Sequence, residues 1–292
     1  MNIARLPTQN QPIVYIILLN WNGWQNTVAC LDSLKRLEYA NYHVLMVDNG
    51  SSDDSVVHIR ASHPGVTILE TGRNLGYSGG CNVGIRRALE EDADYVWLLN
   101  NDTIVDPNAL SAMVRTAEAD TRVGAVGSVL YYLDNPERIQ AWGGGRVFFW
   151  TGRSRHILNP VHGAGPHYLT GTSILLRRHA LDDTGLLDEK AFFMYWEDVD
   201  FSFRLRKAGW RLAVADKSIV LHREHAATGK HSPLLDYYYS ESAALFFRRY
   251  APIPAWPIFI GVLGRLAKRG FRGNLPGFVA TLRGSFAGLR KG

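Results

Sequence analysis

Four apolar runs punctuate the first hundred residues, and three of them end in a polar or acidic tip. Ile13–Leu19 runs into Asn20-Trp21-Asn22-Gly23, His43–Val47 into Asp48-Asn49-Gly50, and Tyr95–Leu99 into Asn100-Asn101-Asp102; Val66–Leu69 is the fourth. Short unbroken apolar runs mark strands buried on both faces. Between them the period changes. Val28, Leu31, Leu34 and Leu37 recur at helical spacing. Ser51-Ser52-Asp53-Asp54 resembles a capping box opening a helix that carries Val56, Val57 and Ile59. Gly79–Glu91 predicts a third helix, rich in small residues at its start. Strands alternating with helices at this spacing predict a parallel sheet covered by helices on both faces.

From about residue 122 the rhythm mixes. Val123–Tyr132 and Arg146–Trp150 read as strands around Gly143-Gly144-Gly145, followed by a strand at Ser173–Arg177, a helix at Val199–Ala208 and a strand at Ile219–Leu221. This half continues the same domain. Pro252, Pro254 and Pro257 mark a boundary. The expected organisation is one α/β domain over 11–250 and a basic amphipathic segment over 251–292.

Composition narrows the class. An apolar fraction of 46% and eight tryptophans suit a globular enzyme rather than a disordered chain. Cys30 and Cys81 offer neither a disulfide framework nor metal-ligand spacing, which fits a reducing cytosol. No signal peptide is expected, since Met1–Gln11 lacks an apolar core. Ile13–Leu19 and Ile253–Leu263 are too short or too proline-broken to span a bilayer. The net charge of +5 is unevenly placed: no acidic residue follows Glu241, whereas Arg248, Arg249, Arg265, Lys268, Arg269, Arg272, Arg283, Arg290 and Lys291 all do. The rest of the chain is therefore net acidic. Phe246, Phe247, Trp256, Phe259, Leu263, Phe271 and Phe278 interleave with these cations, a composition that suits an anionic membrane surface. No nucleic-acid-binding motif accompanies the charge, so no nucleic-acid partner is expected.

Three polar strand tips converge on one crevice in a doubly wound sheet. Turn chemistry alone also favours Asn, Asp and Gly at any one of them. Asp102 could hold a divalent cation against a diphosphate, because hard cations take oxygen ligands. Gly72-Arg73-Asn74-Leu75-Gly76-Tyr77-Ser78-Gly79-Gly80 leads into a helix, whose first amides could meet an anion while Arg73 adds a bidentate contact. The spacing fits neither the dinucleotide fingerprint nor the P-loop, and close packing of a helix on the sheet is the plainer alternative. Tyr195-Trp196-Glu197-Asp198-Val199-Asp200 sets three carboxylates beside two aromatics. That pairing suits sugar chemistry, an aromatic face holding a ring while a carboxylate takes a hydroxyl proton. Acids opening a helix would explain the carboxylates but not the aromatics. His222 ends an apolar run and could complete a metal site begun by Asp102, or be an ordinary loop histidine. His222-Arg-Glu-His225 is not the zinc-protease pattern.

Taken together, VYIILLNWNG, VDNGSSDDS, GRNLGYSGGCNVGI, VWLLNNDT, LTGTSILLRR, FFMYWEDVDFSFRLRKAGW and VLHREHAATGK, in order over about residues 13–230, resemble bacterial glycosyltransferase family 2 enzymes. The rhamnosyltransferase-like branch is the nearest likeness. The resemblance implies a GT-A fold over 11–250, Rossmann-like with a mostly parallel central sheet and helices on both faces, followed by a short basic helical tail. It implies a metal-dependent inverting transferase. Asn20 and Asp48 would border the pyrimidine and ribose, with Asn49 beside them. Arg73, Asn74 and Gly76 would lie near the nucleotide or donor sugar, as would Asn100 and Asn101. Asp102 would hold Mg²⁺ or Mn²⁺ on the donor diphosphate, with His222 as the other metal-side residue. Asp198 matches the general base, Glu197 would help shape the acceptor site, and Trp196, Gly171 and Thr172 would line it.

One departure stands out. The family's metal motif usually opens with aspartate, and this chain has Asn100, a neutral amide that lowers the negative charge of the site. The same change is familiar in the rhamnosyltransferase-like branch. The resemblance therefore implies L-rhamnose from dTDP-rhamnose, with a dTDP- or UDP-linked donor in general. It further implies a glycan or polyprenyl-linked acceptor in bacterial surface polysaccharide synthesis, and a cytoplasmic enzyme peripheral at the inner face of the cytoplasmic membrane. Asn100 leaves a second possibility, a catalytically degenerate nucleotide-binding, membrane-associated domain. A third, a sugar nucleotidyltransferase, expects a glycine-rich basic signature near the N-terminus, and the segment before Asn20 has none.

Overall fold

The computed structural model describes residues 11–160, 165–223 and 232–291. Its first half follows the hydrophobic pattern closely. Strands β1 (Val14–Asn20), β2 (Tyr42–Asp48), β3 (Thr67–Glu70) and β4 (Tyr95–Asn100) pair in the order β3-β2-β1-β4, all parallel. Helices α1 (Trp24–Leu34), α2 (Ser55–Ser62) and α3 (Gly76–Glu90) make the crossovers. The runs are continuous because both faces are covered. Val14, Ile16 and Leu18 of β1 enter one core with Cys30, Leu31 and Leu34 of α1, while Tyr15 and Ile17 enter another with Cys81 and Ile85 of α3.

Three local expectations shift. α1 stops at Leu34, and Leu37 packs on the core from beyond its end. The capping box does not form: the Ser51 hydroxyl goes to Asp48 at 2.6 Å, and α2 opens at Ser55, whose N–H is taken by Asp53 Oδ1 at 3.1 Å. α3 begins at Gly76 rather than Gly79, so the glycine-rich stretch lies inside the helix.

The second half extends the sheet with mixed polarity. After β5 (Thr103–Val105) and α4 (Ala109–Glu118) come β6 (Val123–Tyr132), β7 (Asn135–Trp142), β8 (Gly144–Phe148), β9 (Arg153–His156), β10 (Tyr168–Leu169) and β11 (Ser173–Arg177). Helices α5 (Arg178–Thr184) and α6 (Glu197–Lys207) precede β12 (Arg211–His222). From β4 the sheet continues β11-β6-β12-β5, with β7 beside β6, while β10-β8-β9 form a small second sheet. β11 is antiparallel to β4 and β6, and β12 is parallel to β6 and antiparallel to β5. The expected strand at Ile219–Leu221 is the end of the longer β12, which carries a register shift between Ala215 and Ile219.

α7 (Pro233–Tyr250), α8 (Ala255–Phe271) and α9 (Leu275–Arg290) close the chain. α7 inserts Leu245, Phe246 and Phe247 into a third core with Phe192, Trp196 and Val199. Phe246 and Phe247 are thus interior residues, at 0% and 1% exposure, and leave the membrane-facing pattern expected of them. α9 lies directly on α7: a Cβ on Gly284 or Gly288 would stand 2.1 Å from the Tyr237 or Glu241 carbonyl oxygen. Much of the basic character is spent internally. Arg248 caps the end of α9 at Leu289 and Lys291, Arg249 pairs with Asp188 and Asp200, Arg269 with Asp236, and Lys291 with Glu241. Arg265 lies over the Tyr239 ring. Lys268, Arg272, Arg283 and Arg290 remain exposed. Among the described residues no helix is long and apolar enough to cross a membrane.

Candidate active site

The tips of β2, β1 and β4 stand side by side at one edge of the sheet. The register sets Asn20 against Asp48 and Leu19 against Asn100. Asn20 is fully buried at the centre. Its Nδ2 donates to Asp48 Oδ1 at 3.0 Å and to Ser51 Oγ at 3.1 Å, and its Oδ1 accepts from Thr27 Oγ1 at 2.8 Å. Asp48 Oδ2 also accepts the Ser51 N–H at 3.0 Å. Asn101 turns back into this web, donating to Thr27 Oγ1 at 2.8 Å and reaching Asn20 Oδ1 at 3.5 Å. Held from several sides, Asp48 is a fixed acceptor at the sheet edge, which is what reading a ligand N–H requires.

The glycine loop is tied down rather than open. Asn49 Nδ2 donates to Asn74 Oδ1 at 3.1 Å and to Gly76 O at 3.0 Å, while its Oδ1 takes the Leu75 N–H at 3.0 Å. Asn74 Oδ1 accepts the Gly76 N–H at 2.8 Å, and Phe193 O accepts that of Tyr77 at 2.7 Å. The Leu75, Gly76 and Tyr77 amides at this helix start are therefore occupied, because two asparagine side chains and a neighbouring carbonyl cap them first. Arg73 is exposed at the lip and keeps its guanidinium clear of the web.

β5 pairs with β12 so that Thr103 faces His222, and the Arg223 N–H donates to Asp102 O at 3.0 Å. This brings His222 Nε2 to 3.2 Å from Asp102 Oδ1; Asp102 Oδ1 is buried without a hydrogen-bond donor, as is Asn100 Oδ1. On its other side His222 Nδ1 lies 2.8 Å from Gln140 Oε1. With Gln140 Oε1 as acceptor, the ring proton belongs to Nδ1 and Nε2 presents a lone pair to the carboxylate. Two acceptors held together with one orphaned oxygen fit a shared cation. Among the described residues no group of three His, Cys, Asp or Glu could hold a metal ion. Asp102 and His222 would therefore share a divalent cation with diphosphate and water oxygens. Glu224 and His225, which continue the motif, lie outside the described residues.

Gln140 owes its place to a bulge. β6 pairs Leu130 with Ala141 and Tyr131 with Ile139, so Gln140 is the extra residue between them. Such a bulge re-aims a side chain, and Gln140 is 6% exposed against His222.

The three carboxylates of the 195–200 segment take three different places. Tyr195 and Trp196 both have φ of +66°, a left-handed conformation costing bulky residues about 1–2 kcal/mol each. Asp200 is fully buried and structural: it takes Arg204 Nε at 2.9 Å, Tyr250 Oη at 2.9 Å and an Arg249 guanidinium N–H at 3.2 Å. Glu197 is 7% exposed with Oε2 unpartnered. Burial, and then the charge of Asp198, hold its carboxyl well above the usual range. Asp198 is half-buried; its Oδ2 accepts the Gly171 N–H at 2.9 Å and its Oδ1 the Val199 N–H at 2.7 Å. Burial pushes its pKa up, against those two N–H groups and the charge of His156. Gly171 O accepts the Tyr77 hydroxyl at 2.7 Å, and Thr172 O accepts the Asn100 N–H at 2.9 Å. Residues 171–172 thus join Asp198 to the β4 tip.

Trp196 is a correction. It is 3% exposed, its indole packed on Tyr239, Phe246 and Phe247 with centroids 4.9–5.9 Å apart, so it offers no face to a sugar. The left-handed turn sends the ring into the third core.

The structure brings Asn20, Asp48, Asn49, Asn100, Asn101 and Asp102 to one sheet edge, with His222 across Asp102 and Asp198 joined through Gly171 and Thr172. Sequence reasoning missed Thr27, Ser51, Tyr77, Gln140 and His156. Ser51 carries a signal, three positions beyond Asp48 at the end of β2, where the sequence suggests a helix cap.

A family profile described as Glycosyl transferase family 2 matches residues 15–185. An N-acetylglucosaminyl-diphospho-decaprenol L-rhamnosyltransferase of Mycobacterium tuberculosis is 32% identical over 244 residues, covering 75% of this chain and 78% of the relative. A mannosyltransferase, PcManGT from Pyrobaculum calidifontis in complex with GDP-Man and Mn²⁺, superposes with a TM-score of 0.61 at 17% identity, covering 98% of this chain and 77% of that one. GalNAc-T7 with UDP, GalNAc and Mn²⁺ superposes at 0.69 with 14% identity, covering 94% of this chain and 54% of that one. The two structural likenesses show the GT-A fold.

Proposed function

The chain belongs to glycosyltransferase family 2, and from that premise we propose that it is an active inverting enzyme moving L-rhamnose from dTDP-rhamnose to a polyprenyl-linked glycan in bacterial surface polysaccharide synthesis. The observation that carries the reading is the position of Asp198. It is a half-buried carboxylate with a raised pKa, joined by Gly171 and Thr172 to the strand tip that bears Asp102.

Asp198 would take the proton of the acceptor hydroxyl as that oxygen attacks the anomeric carbon. The bond to the diphosphate breaks on the opposite face, its electron pair leaving with the diphosphate. A divalent cation, Mg²⁺ or Mn²⁺, held by Asp102 and His222 would neutralise charge on that leaving group. Asp48 and Asn20 would hold the pyrimidine, and Arg73 is free to reach the donor. The Mycobacterium relative's printed activity supports the rhamnose donor and the lipid-linked acceptor. Such an acceptor would put the enzyme at the inner face of the cytoplasmic membrane.

A thermal-shift screen of dTDP, UDP and GDP with and without Mn²⁺, followed by a transfer assay with dTDP-rhamnose, tests this. A pyrimidine diphosphate should raise the melting point in a Mn²⁺-dependent way, and rhamnose should reach a prenyl-diphosphate-linked N-acetylglucosamine acceptor. Stabilisation by GDP alone, or donor binding without transfer to any lipid-linked acceptor, would contradict it; the latter would favour the degenerate reading that Asn100 allows.

A further inference from the structure

One surface has no part in the chemistry above. It is built from the β8–β9 hairpin and α8. Along β8, Val147 is buried while Arg146 and Phe148 are exposed, and along β9 Arg153 and Arg155 are exposed. The register sets Arg146 against Arg155 and Phe148 against Arg153; Arg146 and Arg155 stand side by side on the outward face, while the Arg153 guanidinium lies against Gly264 of α8. Like charges directly opposite destabilise an antiparallel pair, and among the described residues neither Arg146 nor Arg155 has a carboxylate partner. Trp150, in the turn, is 76% exposed.

The turn is clamped onto α8. Trp256 Nε1 donates to Trp150 O at 3.2 Å. Gly152, at φ +60°, comes so close that a Cβ would stand 1.9 Å from the Pro257 carbonyl oxygen. α8 buries Pro257, Ile258 and Gly261 and turns outward Trp256, Phe259, Leu263 and Phe271, exposed by 50%, 62%, 53% and 94%. That spacing is one stripe of the helix. Lys268 and Arg272 are exposed on the same helix end. Contiguous exposed aromatics rimmed by unpaired cations mark a binding surface rather than a wet one.

We propose that the β8–β9 hairpin and α8 form one docking face for an anionic phospholipid bilayer, Trp150, Trp256, Phe259 and Leu263 seating at the acyl boundary while Arg146 and Arg155 take lipid phosphates. The inference rests on the lipid-linked acceptor read above and adds where the bilayer is met. Charge complementarity selects the occupant: two copies of the chain meeting on this face would press both sets of arginines together, whereas a phosphate layer resolves their mutual repulsion. The face is also well placed. β9 ends at His156, whose charge acts on Asp198, so the hairpin leads from the bilayer to the proposed base.

Co-sedimentation of the whole protein with phosphatidylcholine vesicles, with and without phosphatidylglycerol, tests the face. Binding should require phosphatidylglycerol, weaken with salt, and fall roughly fivefold for each of Arg146→Ala and Arg155→Ala. Trp150→Glu with Phe259→Glu should abolish it. Circular dichroism and transfer to a soluble short-chain acceptor should be unchanged in all these variants. Vesicle binding that survives both sets of substitutions overturns the proposal, as does a dimer lost in the Glu variants without any vesicle binding, or RNA binding that the vesicles do not displace. Variant-sensitive vesicle binding by a protein that does not use lipid-linked acceptors upholds the docking face and removes the acceptor reading instead.

Discussion

The two sides of the crevice are built on opposite principles. On the proposed nucleotide side the asparagine and aspartate side chains are tied together, Asn20, Asp48, Ser51 and Thr27 closing one web and Asn49 and Asn74 another, with Ser78 Oγ at the glycine-rich helix start left unpartnered. Toward the chemistry the partners run out. Asn100 Oδ1, Asp102 Oδ1 and Glu197 Oε2 are buried and unsatisfied, and Tyr195 and Trp196 hold strained backbone. A saturated web pre-organises recognition of a fixed group. Unsatisfied acceptors and strain belong where charge and protons arrive during reaction. On the proposed function, the contrast would separate residues that bind from residues that react.

That separation can be broken most sharply at the 195–200 segment. Asp198→Asn should lower transfer by about a hundred- to ten-thousandfold in single-turnover assays while thermal shifts by nucleotide persist. Burial raises the Asp198 pKa. The base works ionised, so wild-type transfer should fall as pH drops through a value above the ordinary aspartate range, and that limb should vanish in the variant. Two residues on, the effect should change kind. Asp200→Asn leaves Arg204 and Arg249 without their buried carboxylate, and about 3–5 kcal/mol of stability should be lost in denaturant titrations.

Gln140→Leu sharpens the comparison on the metal side. It removes the acceptor that fixes the His222 proton on Nδ1, so Mn²⁺ affinity with dTDP, read by electron paramagnetic resonance, should weaken about 10–100-fold. Metal-free nucleotide binding should not move. The smallest effect is expected at Glu197, whose folded pKa is raised. Its contribution to stability is complete below the unfolded carboxyl value and is lost as pH rises through the folded one. Glu197→Gln stays neutral throughout, so its melting point should exceed that of the wild type increasingly as pH rises. Equal melting profiles across pH would remove the buried, protonated Glu197 from the account.

Legibility in the sequence follows the same divide. Val123–Tyr132 and Ser173–Arg177 match their strands residue for residue, and the polar tips after Leu19, Val47 and Leu99 fall together, because continuous apolar runs record burial on both faces. β7 was not legible: Asn135–Arg138 is an exposed edge, and the bulge that turns Gln140 inward depends on its pairing with β6. α7 hides its period by burying Ser240, Glu241 and Ser242 beside Leu245 and Phe246. Composition could name a basic tail, but which cations are spent on Asp188, Asp200, Asp236 and Glu241 is decided by helix packing. The three adjacent acids 197, 198 and 200 look alike in the chain, and only the left-handed turn before them separates their environments.

A crystal structure of the protein with Mn²⁺ and dTDP decides whether the β1, β2 and β4 tips, Asp102, His222 and Asp198 surround one nucleotide. Mn²⁺ should be held by Asp102 and His222 together with the donor diphosphate. The thymine edge should lie against Asp48 and the Asp198 carboxylate should face the space beyond the β-phosphate. A nucleotide seated away from the β1, β2 and β4 tips, or a metal bound without either Asp102 or His222, would contradict this arrangement.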